Sequence, residues 1–273
     1  MKKTLLTICL VWMCFSLSAQ KIIDLSGKWS FSIDRQDNGE KEKWFSHTLN
    51  DFINLPGSMP EKLKGDEVTA KTQWTGSLYD SSYYYNPYME KYRKEGNIKF
   101  PFFLTPDKHY VGAAWYQKEV NIPADWKGER ILLFLERPHI ETTVWVNGQK
   151  TGMQNSLCVP HQYDITHYVR PGKCTITIRV DNRIKEINVG PDSHSITDQT
   201  QGNWNGIVGR ICLQTTPKTY FDDIQIYPEP EQKLARVKVV IKGAGITKIK
   251  LSAESFNTDK KHIVPAIQQE IKL

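Results

Sequence analysis

Thr142-Thr143-Val144-Trp145-Val146, then Asn147-Gly148, then Gln149-Lys150-Thr151-Gly152 form the first half of a unit that ends in Thr175-Ile176-Thr177-Ile178-Arg179-Val180-Asp181-Asn182. Asn-Gly between two such runs is the strongest short-range hairpin signal, because both residues tolerate the positive φ of a two-residue turn. The later run alternates hydroxyl and branched apolar side chains with period two, which places all its apolar groups on one face of a strand. Between the runs, Tyr163-Asp164-Ile165-Thr166 reads as a short helical or turn element, and Arg170-Pro171-Gly172 reads as a tight turn into the next strand. The unit is therefore β throughout, and its loops at the strand ends are where binding residues are expected.

The same pattern extends in both directions. Gly27-Lys28-Trp29-Ser30-Phe31-Ser32-Ile33 alternates as a half-buried strand does, and Trp115-Tyr116-Gln117-Lys118-Glu119-Val120 leads to Ile122-Pro123. Arg130-Ile131-Leu132-Leu133-Phe134-Leu135 is apolar enough for burial on both faces of a sandwich. Residues 55–110 fit poorly, being rich in Pro, Gly and Tyr without a period, so they read as an insertion. Within it, Tyr79-Asp80-Ser81-Ser82-Tyr83-Tyr84-Tyr85-Asn86-Pro87 is expected to cover a core rather than touch a ligand.

A boundary falls near Pro217. Beyond it, Ala235-Arg236-Val237-Lys238-Val239-Val240-Ile241 and Ile249-Lys250-Leu251-Ser252-Ala253 alternate almost without aromatics. An immunoglobulin-like sandwich needs roughly 100 residues, so residues 218–273 are expected to be part of one, with the chain stopping inside the domain. The fold predicted is all-β: a jelly-roll sandwich over 20–217 followed by a partial immunoglobulin-like sandwich.

Residues 1–19 read as a secretory signal, with Lys2 and Lys3, an apolar run from Leu5 to Phe15, and a small-residue exit at Ser16-Leu17-Ser18-Ala19. Export to the periplasm or beyond is expected, as a soluble product without a membrane span. Lys2 and Lys3 supply two of the six net positive charges, and the rest form no basic stripe, which argues against nucleic acid. Cys158, Cys174 and Cys212 remain, too few and too widely spaced for a zinc site or a disulfide framework. They are expected to be buried thiols, with a Cys158–Cys174 bridge as the alternative. No metal or cofactor is implied.

His194 to Leu213, HSITDQTQGNWNGIVGRICL, concentrates donors, acceptors, glycines and one indole in a loop entering a strand. Sugar hydroxyls pair with carboxylates and amides, while sugar C–H faces stack on aromatic rings. Asp198, Thr200, Asn203, Trp204 and Asn205 are accordingly the candidate substrate-binding residues. Ordinary loops have a similar composition, and an anchoring role for Trp204 competes evenly with this reading.

In order, Leu25-Ser26-Gly27-Lys28-Trp29-Ser30-Phe31, Leu55-Pro56-Gly57-Ser58, Ala114-Trp115-Tyr116-Gln117-Lys118, Val144-Trp145-Val146-Asn147-Gly148, Tyr163-Asp164-Ile165-Thr166 and Asn203-Trp204-Asn205-Gly206-Ile207 resemble the amino-terminal region of glycoside hydrolase family 2. That group contains β-galactosidases, β-glucuronidases and β-mannosidases. The resemblance implies a sugar-binding jelly roll, an immunoglobulin-like sandwich, and then a (β/α)8 barrel carrying two catalytic glutamates. A retaining glycosidase needs two carboxyl groups about 5 Å apart, and no residue of 1–273 matches the barrel glutamates. Catalytic residues: none are expected here.

The resemblance further implies that the loop before the last jelly-roll strand reaches the barrel mouth. Its usual Asp, six residues before the glycine matching Gly206, is Thr200 here, and the acid stands at Asp198. Gly209 intervenes before Arg210, which suggests a bulge. Considered as catalytic acids, Asp66 with Glu67, or Asp80 with Asp107 and Asp198, read instead as solvated surface, and neither His109 nor His161 has a nucleophile motif beside it. Expected partners are a carbohydrate and the barrel of the same polypeptide. The competing class is a stand-alone secreted carbohydrate-binding module.

Overall fold

A computed structural model describes residues 20–76, 81–185, 190, 192–254 and 263–273. The expected signal at 1–19, and Tyr79 and Asp80 of the aromatic run, lie outside the described residues. Strands β1 (Ile22–Asp24), β2 (Gly27–Asp34), β3 (Asp51–Leu55) and β4 (Gly57–Ser58) precede the insertion, whose neck is closed by β5 (Asp66–Glu67) pairing with β6 (Lys108–His109). Then follow β7 (Ala113–Ile122), β8 (Arg130–His139), β9 (Glu141–Val146), β10 (Gln149–Asn155), β11 (His161–Asp164), β12 (Gly172–Asp181) and β13 (Gly206–Thr216). Two antiparallel hairpins end the chain: β14 (Tyr220–Glu229) with β15 (Leu234–Lys242), and β16 (Ile246–Glu254) with β17 (Ile263–Lys272).

Residues 22–216 form a jelly-roll sandwich. One sheet runs β1-β13-β8-β11, with β4 also on β13, and the other runs β10-β9-β12-β7-β2-β3, each pair antiparallel. Period-two alternation places Cys174, Ile176, Ile178 and Val180 of β12 in one core with Phe31, Tyr116, Leu133 and Leu135. Asn147 (φ 50) and Gly148 (φ 76) make the two-residue turn between β9 and β10, as their pairing signal predicts. Ile131 to Leu135 are all buried, in accord with their unbroken apolar run.

Three features depart from the sequence expectation. Tyr163-Asp164 is strand, not helix or turn: His161 to Asp164 pair with β8, burying His161 and Tyr163 while Gln162 and Asp164 face out. Four residues are too few to reveal that alternation. The outer face of the six-stranded sheet is also covered, because Trp115 and Trp145 project there and Trp44, Phe45 and Leu49 close over them. The Phe45 ring lies parallel to Trp145 at 5.2 Å. Finally, Cys174 and Cys212 are buried but Cys158 is an exposed free thiol, since it sits in the loop between β10 and β11 while Cys174 faces the core.

Among the described residues no helix is long and apolar enough to cross a membrane, and no group of His, Cys, Asp or Glu is placed to hold a metal.

Candidate functional site

Three segments converge at one end of the sandwich: the loop before β13, the insertion, and the turn from β8 into β9. The insertion builds its own small core, in which Trp74 meets Phe100, Phe102 and His109 at 4.6–5.0 Å and Tyr83 stacks on Phe100. The aromatic run thus packs inward at Tyr83, whereas Tyr84 and Tyr85 remain exposed.

Asp198 joins the loop to this insertion. Its two carboxylate oxygens accept from the backbone N–H of Thr75 at 2.6 Å and of Asn203 at 2.7 Å, and its own N–H donates to the Thr75 carbonyl. Asp198 is buried, not a solvated surface acid, and burial pushes its carboxyl above the usual range. Asn203 donates from Nδ2 to Thr75 Oγ1 and the Asn182 carbonyl, while its Oδ1 accepts from His139 Nε2 at 3.2 Å. Asn205 accepts from the Tyr116 hydroxyl and donates to the carbonyls of Gly112 and Val180. Thr200 donates its hydroxyl proton back to the His194 carbonyl.

The structure thus brings the five candidate residues into one loop but divides their work. The acid and both amides turn inward, and their hydrogen bonds hold the loop; a buried polar group must be satisfied, and here the protein itself supplies the partners. Trp204 stays partly exposed. His139 stacks against one face of its indole, with ring centres 4.6 Å apart and planes 20° off parallel. Burial lowers the His139 imidazole to about 4, against the opposing hydrogen bond it donates to Asn203, so the ring stacked on Trp204 is neutral at neutral pH.

Trp204, Gln201 and Gly202 form a wall between two clefts. On one side lies a space of about 470 Å³ bounded by Pro60, Leu104, Pro106 and Val208. On the other lies one of about 600 Å³ bounded by His139, Asn155, Ser156, Cys158 and Ser195. Both fall in the range of small-molecule sites, about 300–1,000 Å³. His139, Gln201 and Asn155 were not among the candidates. His139 stands 65 positions from Trp204, and no local pattern in its strand marks it.

The junction with β13 is tight. Gly206 (φ 146) pairs with Ser58 and with His139, and a Cβ there would lie 2.5 Å from the Gly57 carbonyl oxygen. The suggested bulge is present: pairing with β8 shifts between Val208 and Ile211, Gly209 adopts φ 74, and Glu136 accepts from the Arg210 N–H at 2.8 Å. Asp66 and Glu67 are exposed and ion-paired with Arg35 and Lys108.

Residues 22–217 match the family described as "Glycosyl hydrolases family 2, sugar binding domain". Human β-glucuronidase is 24% identical over 258 residues, covering 84% of this chain and 34% of the relative. Among solved structures, β-glucuronidase from an uncultured Clostridium superposes with a TM-score of 0.56 at 19% identity, over 93% of this chain and 40% of that one. Ruminococcus gnavus β-glucuronidase in complex with uronic isofagomine gives 0.56 at 16% identity, over 93% and 38%. The chain therefore spans about a third of the length of the curated relative it matches.

Proposed function

This chain belongs to glycosyl hydrolase family 2, and from that premise we propose that it is the non-catalytic, sugar-binding part of an exported glycosidase acting on β-glucuronides. In this reading the sandwich buttresses a catalytic barrel of the same polypeptide and lends it the Trp204 loop. Hydrolysis needs an acid to protonate the leaving oxygen and a carboxylate to attack the anomeric carbon, and both belong to the barrel. The loop's part is to orient. Trp204 offers an apolar ring to a sugar face, Gln201 offers an amide beside it, and Asp198, Asn203 and Asn205 keep the pair in place. The β-glucuronide preference rests on the relatives, and export rests on the leader-like residues 1–19, testable by fractionating the expressing cells.

One observation carries the reading: Trp204, backed by a neutral His139, divides two clefts at the end of the sandwich. Saturation-transfer NMR with methyl β-D-glucuronide should show transfer from this chain, abolished by Trp204→Ala. Absence of transfer to the glucuronide would overturn the sugar-binding role. The chain should release no nitrophenol from para-nitrophenyl β-D-glucuronide; turnover above a blank that survives Asp198→Ala would overturn the non-catalytic role.

A further inference from the structure

The end of the sandwich away from Trp204 holds a cavity of about 420 Å³, where the turn from β7 to β8, the turn from β11 to β12 and the exit of β13 meet. That volume lies within the range of small-molecule sites. β13 starts at Gly206, beside Trp204, and finishes at Thr216, beside the cavity, so its eleven residues set the two places about 30 Å or more apart. The cavity and the Trp204 clefts share no lining residue.

Its inner wall is apolar. Ile122, Trp126 and Val169 line it, each more than nine-tenths buried, with Pro171 beside them. Its outer wall is basic, because Lys127, Arg170 and Lys218 are exposed there and enter no ion pair among the described residues. A single acid, Glu129, lines the same space. Nearby acids already hold cations, Asp125 with Lys21 and Asp164 with Arg130.

Two of the donors are fixed. Arg170 Nη1 donates to the carbonyls of Val169 at 2.7 Å and His167 at 3.4 Å, which holds the guanidinium without neutralising it. Its other N–H groups stay free for a planar oxyanion. Trp126 is 3% exposed, yet its Nε1–H keeps contact with solvent and has no acceptor among the described residues. Unpaired cations around one cavity repel one another, and an anion set among them replaces repulsion with attraction. An inorganic anion gains nothing from the apolar wall, and a neutral hydrocarbon leaves the cations unmatched. A carboxylate on an apolar body satisfies both.

We propose that this cavity binds a small organic carboxylate, its apolar body against Ile122, Val169 and Pro171 and its charge toward Lys127, Arg170, Lys218 and the Trp126 N–H. Lys218 belongs to the segment joining β13 to β14, so the bound carboxylate ties that segment to two turns of the sandwich. Ligand binding then steadies the boundary at Pro217. The proposal is independent of the sugar-binding reading above.

Four probes test it on the full chain at low salt: hexanoate, acetate, 1-hexanol and methyl β-D-glucuronide, each followed by the Trp126 indole N–H resonance of ¹⁵N-labelled protein. Hexanoate should shift that resonance and bind about tenfold or more tightly than acetate, the order that burying a short alkyl chain gives. Hexanol should leave the resonance in place. Lys127 and Lys218 are exposed and unpaired, so the double variant Lys127→Gln, Lys218→Gln should fold, and it should bind hexanoate about tenfold more weakly. Trypsin gives an independent readout: hexanoate should slow cleavage after Lys218 severalfold and leave cleavage after Lys250, in β16, unchanged. No shift with hexanoate, equal shifts with hexanol, or undiminished binding by the double variant would overturn the site. A shift by methyl β-D-glucuronide as strong as that by hexanoate would overturn the ligand class, and unslowed cleavage after Lys218 would overturn the coupling to the boundary.

Discussion

Asp198 shows how a residue chosen for its chemistry can serve another end. Its carboxylate accepts two backbone N–H groups, from Thr75 and Asn203, in a site closed to water. Replacement by Ala leaves both donors unsatisfied, at about 1–3 kcal/mol for a buried group. Asp198→Ala should therefore lower the unfolding free energy by about 2 kcal/mol in urea titrations and speed hydrogen exchange at Thr75 and Asn203; unchanged exchange at both would refute the pinning role. His139 gives a pH signature. Its imidazole titrates near 4 when folded and near 6.5 when unfolded. Between those values the unfolded chain binds a proton that the folded chain does not, so this contribution is complete above about 6.5 and is lost as pH falls toward 4. The loss approaches about 3 kcal/mol at the lower end. His139→Gln should flatten melting temperature against pH across that window, leaving the slope due to buried His161, which shifts in the same direction. An unchanged slope would contradict the burial of His139. Composition alone marks the loop as a candidate sugar site, and Trp204 lines both clefts beside it. The inward turn of Asn205 was not legible, because its partners Tyr116, Gly112 and Val180 lie 89, 93 and 25 residues away.

Strands were the most legible elements wherever one face is apolar over six residues or more. The β12 run and the Asn147-Gly148 turn announce themselves, since period and turn chemistry are both local. β11 does not, with four residues and a buried histidine at its start. Nor does the cover over Trp115 and Trp145, because Trp44, Phe45 and Leu49 come from a stretch without regular period. The extra residue at Gly209 was readable as a bulge, and the structure supplies its reason: Glu136 caps the Arg210 N–H where the ladder breaks. Gly206 marks the tightest element contact near the site. An alanine there would place Cβ 2.5 Å from the Gly57 oxygen and 2.8 Å from Ser58 Cα, at φ 146. Both neighbours are backbone of β4 and cannot yield without parting the strands, so Gly206→Ala should cost about 3 kcal/mol or more. Gly202→Ala is the matched control, with open space around it and φ 72, and should cost about 1 kcal/mol. Similar denaturation midpoints for the two variants would disprove the close approach at Gly206.

Over the whole molecule, stability is unevenly distributed. Every buried residue among those described lies between Leu25 and Thr215, while the hairpins after Pro217 leave Ile224, Ile226, Leu251, Ile263 and Ile267 exposed. Alternation in β15 and β16 was plain in the sequence, but alternation only states which face seeks a partner, not whether one is present. The hairpins β14–β15 and β16–β17 share no strand pairing among the described residues. Among the described residues the Arg130 guanidinium reaches across the boundary, 3.7 Å from the centre of the Tyr220 ring. Such a contact contributes about 1 kcal/mol, whereas the sandwich buries some two dozen apolar side chains at about 1.5–3 kcal/mol each. Local opening should therefore begin beyond Pro217, and exposed apolar strands with free edges also favour association. Limited proteolysis should remove residues 219–273 first and leave a resistant product ending near Pro217. Analytical ultracentrifugation should then find self-association in the untreated chain and a monomer after trimming. Equal resistance on both sides of Pro217 would show that the hairpins are held as firmly as the sandwich, and association that persists after trimming would place the associating surface on the sandwich instead.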